Sequence, residues 1–327
     1  MKVSAVTGFL WLVMGALVLP AGSPAQPTSR IARIGYLYGT SMPPGGAAVF
    51  EQALRDLGWV KGRNITIDYR SAEAHLDRLP ALAAELAGLR LDVIVANAAP
   101  ETKAARQATR TIPIVFVLHG DPVETGDVQS LARPGGNATG VSQLHSELTA
   151  KQLELLKQVV SPLARVDVLW NADVAAKASD WRVLRAQAPA LGIVLQSREL
   201  RRPADLDVAF AVITRDRPGA LLILGDPMLA TFRGAIAEFA AKEGLPAMYP
   251  WRSAVEAGGL ISYGADLDDL RRRAAWYVDR ILKGTHPADL PVQQPTKFEL
   301  AINLKAARAL GMTIPQSVLL RVDHVIE

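Results

Sequence analysis

From Ile31 onward, short β-rich apolar runs alternate with segments whose apolar residues recur at helical spacing. Ile31–Tyr38 is the first such run; Phe50, Leu54 and Leu57 follow at helical intervals and stop at Gly58. Ile65, Ile67 and Tyr69 alternate with polar residues, the pattern of a half-buried strand. Leu79, Leu82, Leu86 and Leu89 form the stripe of the next helix, with Pro80 in its first turn. Strand Leu91–Ala96, helix Glu101–Thr109 and strand Ile114–Leu118 complete the first series. Repeated βαβ units of this size predict a parallel sheet with right-handed crossovers.

A turn cluster at Arg133–Asn137 closes that series, and Gly140-Val141-Ser142 is a candidate hinge. A second series begins with helix Glu147–Val160, strand Val166–Trp170, helix Ala175–Ala190 and strand Ile193–Ser197. It continues with helix Leu206–Ile213, strand Ala220–Leu224 and helix Leu229–Glu243. Short runs at Ala247–Tyr249 and Leu260–Tyr263 flank Gly258-Gly259, and helix Leu270–Leu282 closes at Gly284. Pro287–Pro295 is a proline-rich crossover; Phe298–Leu304 and a short helix ending at Gly311 form a last unit. The two halves share one echo. The apolar runs Ile114–Leu118 and Leu221–Leu224 both lead into Gly-Asp-Pro, at Gly120-Asp121-Pro122 and Gly225-Asp226-Pro227. In open α/β sheets ligands bind outside the C-terminal strand ends. Two such mouths predict two similar lobes facing one ligand across a cleft.

Composition narrows the class. The chain has 327 residues, half of them hydrophobic, with a formal charge of only +4, enough for two globular cores. The densest basic run, Arg271-Arg272-Arg273, falls in a helical pattern and reads as a solvated face; no nucleic-acid partner is expected. Met1-Lys2, the apolar Phe9–Leu19 and the small residues Ser23-Pro24-Ala25 read as a secretory signal over residues 1–25. With no cysteine, lipid modification at a Cys, disulfides and thiolate chemistry are all excluded.

Catalytic signatures are missing: there is no Gly-x-Ser-x-Gly elbow, phosphate-cradling loop or dinucleotide fingerprint. The histidines, at 75, 119, 145, 286 and 324, have no metal-ligand spacing, so neither metal nor cofactor is expected. Asp121 and Asp226 as an acid/base pair of an exported α/β enzyme is the alternative reading; Asp before Pro at a strand end is equally a turn-former. The strand-end loops are richer. Tyr38-Gly39-Thr40-Ser41 follows the first strand, and Asn97-Ala98-Ala99-Pro100-Glu101 leads into a helix whose free N–H groups suit a ligand carboxylate. Trp170-Asn171-Ala172-Asp173 and Asp226-Pro227-Met228 hold the equivalent places in the second half. Tyr38, Trp170, Tyr249, Trp251 and Tyr263 fall at or beside strand ends, where a flat ligand can stack.

Several motifs then occur in a familiar order. Leu57-Gly58-Trp59-Val60-Lys61-Gly62-Arg63-Asn64, Ile112-Pro113-Ile114-Val115-Phe116, Arg133-Pro134-Gly135-Gly136-Asn137-Ala138-Thr139-Gly140-Val141-Ser142, Tyr249-Pro250-Trp251-Arg252 and Leu290-Pro291-Val292-Gln293-Gln294-Pro295-Thr296-Lys297 are among them. From about Ile31 to the C-terminus the chain resembles the ABC-transporter substrate-binding proteins of the tryptophan/tyrosine-binding type. The resemblance implies a type I periplasmic binding protein: α/β, two Rossmann-like lobes with parallel sheets, and three hinge crossovers. It implies a first lobe of residues 31–141 plus 264–287 and a second of 142–260 plus 288–327. It also implies a small, aromatic amino-acid-like ligand, an inner-membrane ABC permease as partner, a periplasmic monomer and no enzymatic activity. By resemblance, the ligand loops hold Tyr38, Thr40, Asn97, Ala98, Asp121, Gln143, Asn171, Asp226, Tyr249 and Tyr263.

Overall fold

The computed structural model describes residues 31–40, 46–143 and 145–327. The secretory signal expected over residues 1–25 lies outside the described residues, as does Ser41 of the first loop. Within the described residues the chain builds two sheets, each covered by helices on both faces.

The first sheet comes from β1 (Ala32–Tyr38), α1 (Gly46–Asp56), β2 (Ile65–Ser71), α2 (Leu79–Gly88), β3 (Val93–Ala96), α3 (Ala99–Ala108), β4 (Ile114–His119) and β5 (Ala138–Ser142). Its strand order is β2-β1-β3-β4-β5, parallel throughout. The central strands are buried on both sides, hence the unbroken runs Val93–Ala96 and Ile114–Val117 in place of alternation.

The second series gives α4 (His145–Val159), β6 (Arg165–Asn171), α5 (Ala175–Gln187), β7 (Val194–Leu200), α6 (Asp205–Asp216) and β8 (Ala220–Ile223). It goes on through α7 (Pro227–Thr231), α8 (Arg233–Lys242), β9 (Ala247–Tyr249), α9 (Arg252–Glu256) and β10 (Ile261–Ala265). After α10 (Leu267–Leu282) come β11 (Phe298–Asn303), α11 (Leu304–Ala309), α12 (Gln316–Leu319) and β12 (His324–Ile326). The seven strands run β12-β11-β10-β9-β8-β6-β7, and the β10–β11 pair is antiparallel. The helix expected over Leu229–Glu243 is broken at Phe232, which separates α7 from α8.

Helix α10 leaves the second sheet and returns to the first. Its Leu270, Ala274, Tyr277 and Val278 join Phe50 and Leu54 of α1 and Tyr36, Val95 and Val115 of the sheet in one core. The crossings sit slightly differently from the sequence expectation. β10 continues to Ala265, so Gly264 and Ala265 belong to the seven-stranded sheet. The chain after α10 stays with the first sheet as far as Gln293: the Leu290 carbonyl accepts from Thr139 Oγ1 at 2.6 Å, and Gln293 exchanges hydrogen bonds with Gly140 and Ser142. Leu290 and Val292 fill that sheet's two cores. A proline-rich segment makes a good edge partner because it needs few ladder bonds of its own.

Where β5 passes β4, no side chain fits. Gly140 has φ of +149°, and a Cβ there would lie 2.0 Å from the Phe116 carbonyl oxygen. Gly140→Ala is therefore expected to cost about 2–4 kcal/mol in chemical denaturation, since the obstacle is backbone and cannot rotate away.

Candidate functional site

The C-terminal ends of the first sheet's strands form one wall. Tyr38 ends β1, but its ring is buried and stacks on Tyr36, with centroids 4.3 Å apart and planes 8° from parallel. Burial raises both phenols above their ordinary range. Beyond Tyr38, the Gly39 N–H donates to Glu101 Oε1 at 2.6 Å, and the Thr40 carbonyl accepts from Ser71 Oγ at 2.8 Å. Glycine is needed at 39, because a Cβ would come within 2.6 Å of that carboxylate oxygen.

Glu101 is wholly buried at the third residue of α3, whose N-cap, Ala98, has no capping side chain. Burial pushes its carboxyl up to about 7, against the lowering effect of the N–H groups of Glu101 itself, Gly39 and Ala98. Glu101 holds the position of a capping-box glutamate, but its hydrogen bond goes to Gly39. It places the chain's own carboxyl where a ligand carboxylate was expected. Two buried oxygens at this helix entry have no partner, Asn97 Oδ1 and Glu101 Oε2. The backbone of Asn97 is fully used, its N–H donating to Leu37 O and its carbonyl accepting from Leu118 N–H. A glutamate three residues past an uncapped helix start was the available signal for Glu101, and sequence reasoning passed over it.

The twin Gly-Asp-Pro turns differ in chemistry. Asp121 is exposed, and its Oδ1 accepts from the N–H groups of Val123 and Glu124, both at 2.9 Å. It shapes its own turn. The buried carboxylate on this loop is Asp127, which accepts from Arg106 Nη1 at 2.7 Å and Thr125 Oγ1 at 2.7 Å and lies 2.9 Å from His119 Nε2. Burial raises the Asp127 carboxyl, but these hydrogen bonds outweigh it and hold the group below the usual range. Gln143, buried just past β5, donates its N–H to the His119 carbonyl at 2.8 Å.

In the second sheet, Asp226 is buried and caps α7, its Oδ1 accepting from Leu229 N–H at 2.7 Å. Asn171, at the end of β6, donates from Nδ2 to Asp226 Oδ2 at 2.6 Å. Burial raises the Asp226 carboxyl, opposed by those donors and by Lys177. Lys177 and Asp180 form a buried ion pair at 2.5 Å near the start of α5. Arg182, midway along α5, lies 3.9 Å from Glu124 of the Asp121–Asp127 loop, an exposed contact between the two sheets' flanking elements.

The aromatic grouping is not a single stacking platform. Trp170 is buried, stacks on Trp181 at 6.2 Å and donates from Nε1 to Ser197 Oγ at 2.8 Å. Tyr263 is half-buried in β10 beside Phe298, and its carbonyl accepts from Gln152 Nε2 at 2.7 Å. Tyr249 is wholly buried against Gly259. It lines a cavity of about 160 Å³ with Ala240, Leu245, Gly258, Leu260 and Leu310. That cavity opens at the entry to β9 and β10, the end opposite the mouth. Thus Tyr38, Thr40, Asn97, Ala98 and Gln143 gather at one wall, Asn171 and Asp226 at the other, and Tyr249 turns away from both.

Two open, mostly parallel sheets with three crossings between them: this is the architecture of type I periplasmic binding proteins. A family profile for ABC transporter substrate binding proteins matches residues 47–326, and the chain belongs to that family. A tyrosine-binding protein of Clostridioides difficile (strain R20291) is 27% identical over 263 residues, covering 80% of this chain and 75% of that one. A crystal structure of a conserved domain protein from Vibrio cholerae is 30% identical with a TM-score of 0.84, covering 90% of this chain and all of that one. A Streptococcus pneumoniae domain in complex with L-Trp is 26% identical with a TM-score of 0.83, over 90% of this chain and 99% of that one.

Two titrations follow. The Glu101 carboxyl has an ordinary value of 4.5 and is held up to about 7 in the fold. The folded chain therefore binds the extra proton between those values, and stability falls as pH rises through them, by about 3 kcal/mol in all. Glu101→Gln keeps an acceptor for Gly39, so its melting temperature should exceed the parent's by several degrees at pH 8 and by much less at pH 5. Asp127 has the opposite sign. Its stabilisation is present above the unfolded value and is lost as pH falls through the depressed one. Asp127→Asn should cost about 1–3 kcal/mol at pH 7 in urea titrations and flatten the acid limb of the stability curve.

Proposed function

We propose that this chain is the solute receptor of an ABC importer, exported by its N-terminal segment to the periplasm. There it would act as a monomer that captures a small aromatic amino acid and delivers it to a membrane permease. The observation that carries this reading is the presence of polar strand-end loops on two separate sheets, Gly39, Asn97 and Gln143 on one and Asn171 and Asp226 on the other, within a family match spanning residues 47–326. The relatives named for tyrosine and crystallised with L-Trp support the ligand class.

The mechanism is hinge closure. The segments joining the sheets are Gln143 onward into α4, Ala265–Leu267 and Gln294–Lys297. A ligand shifts an open–closed equilibrium only by its differential contacts, so it must touch both walls. Arg182 and Glu124 already reach across at 3.9 Å; exposed on both sides, this contact steers closure more than it holds it.

The exported-enzyme reading lacks its pair. Asp121 is tied into an exposed turn, and both oxygens of Asp226 are occupied, by Leu229 N–H and Asn171. The two belong to different sheets. The family relatives named above are binding proteins.

A thermal-shift screen over the twenty amino acids and simple aromatic acids tests the reading. L-Tyrosine or L-tryptophan should raise the melting temperature, because a ligand at 100 times its Kd adds about 2.7 kcal/mol. No stabilisation by any solute, together with measurable turnover of one of them, would overturn it.

A further inference from the structure

We propose that Asn97 Oδ1 and Glu101 Oε2 form an acceptor-only subsite, at the C-terminal ends of β1 and β3, that takes the protonated primary amine of the ligand. The inference rests on the receptor reading and deepens it by assigning the ligand's charged end to one wall.

Both oxygens are buried and without a hydrogen-bond partner, and they belong to the same helix entry, four residues apart. Buried acceptors are normally paired, so an orphaned pair at a ligand-binding edge calls for a donor from outside the chain. The nearby N–H groups of Glu101 itself and Ala98 lower the carboxyl's titration, yet neither forms a hydrogen bond to Oε2. Glu101 Oε1 is already satisfied by Gly39 N–H, and the Asn97 backbone is committed to Leu37 and Leu118. An ammonium group has only donors, and a carboxylate facing it is the complementary choice. A ligand carboxylate would instead be repelled by Glu101 wherever that group is ionised. The aspartates first considered for this role are otherwise engaged, Asp121 by its own turn and Asp226 by Asn171 and Leu229.

The charge balance is specific. On the segment that packs over Gly39, Glu73, His75, Asp77 and Arg78 are exposed, as are Glu85 on α2 and Lys103 on α3. Arg106 on α3 and His119 on β4 are both directed to Asp127. Among the described residues nothing charged neutralises Glu101, and burial leaves it titrating at about 7. An arriving ammonium would favour the ionised form and lower that value. Binding should therefore expel the carboxyl proton to solvent.

Calorimetry in buffers of different ionisation enthalpy reads this directly. The probes are L-tryptophan and L-tyrosine, compared with 3-(indol-3-yl)propanoate and 3-(4-hydroxyphenyl)propanoate, which lack the amine. The amino acids should bind with release of about 0.9 proton at pH 6 and about 0.5 at pH 7. The desamino acids should bind at least about 100-fold more weakly and release none. Glu101→Gln should weaken amino-acid binding by about tenfold or more and abolish proton release, while its melting temperature at pH 5 shows that it is folded. Amino-acid binding without proton release and unchanged in Glu101→Gln overturns the subsite alone, as does equal affinity for the desamino probes. Failure of all four probes to bind overturns the receptor reading for aromatic amino acids and the subsite with it.

Discussion

Ala274, Ala275, Tyr277 and Val278 of α10 close the face of the first sheet that α1 covers only in part. The Tyr277 hydroxyl also donates to the Pro291 carbonyl, and Trp59 Nε1 reaches Asp279 Oδ1 at 2.9 Å. Buried apolar area is the main term holding any such sheet together. The first lobe therefore depends on residues that lie beyond the whole body of the second. Three crossings are the price of that arrangement, and they are also its use. Under the proposed closure, several connecting strands would favour bending along one axis.

Against that scaffold the polar residues divide into those that build the mouth and those left over. Asp226, Asn171 and Asp127 have their hydrogen bonds accounted for within the chain, while Asp121 uses one oxygen for its own turn and leaves the other to solvent. Such closed networks fix loop shape. Glu101 and Asn97 differ because each retains one unmatched oxygen. A site is more visible in its unmet hydrogen-bonding needs than in its inventory of charges.

Much of the fold was legible from periodicity. The alternation of apolar runs and 3.6-residue stripes placed most strands and helices, because fully buried parallel strands leave uninterrupted runs such as Val93–Ala96 and Ala220–Ile223, but β5 was read as a hinge and α9 and α12 were not seen. The break at Phe232 was hidden, since the apolar stripe continues across it. β12 was missed because His324–Ile326 is short and mostly exposed, with little pattern to read. The mouth was less legible for a different reason. Sequence places Asp121 and Asp226 in identical motifs, but their roles depend on what each meets: solvent and its own turn in one case, Asn171 from another strand in the other. Tyr249 carries no mark of which way its ring turns; only the small residues Gly259 and Ala254 beneath it decide that.

The dependence of the first lobe on α10 also sets a timetable. β5 ends at Ser142, yet the helix and the proline-rich edge segment that complete its lobe end only at Leu282 and Gln293. At ribosomal speeds of about 5–20 residues per second, the intervening stretch takes roughly 10–30 s to synthesise. Throughout that interval Tyr36, Phe50 and Val115 lack the helix that covers them. The nascent first lobe thus presents a greasy, unfinished surface for far longer than collapse itself requires. Holding chaperones have a wide window in which to bind it, and the order of synthesis delays completion of that lobe until nearly the whole chain exists.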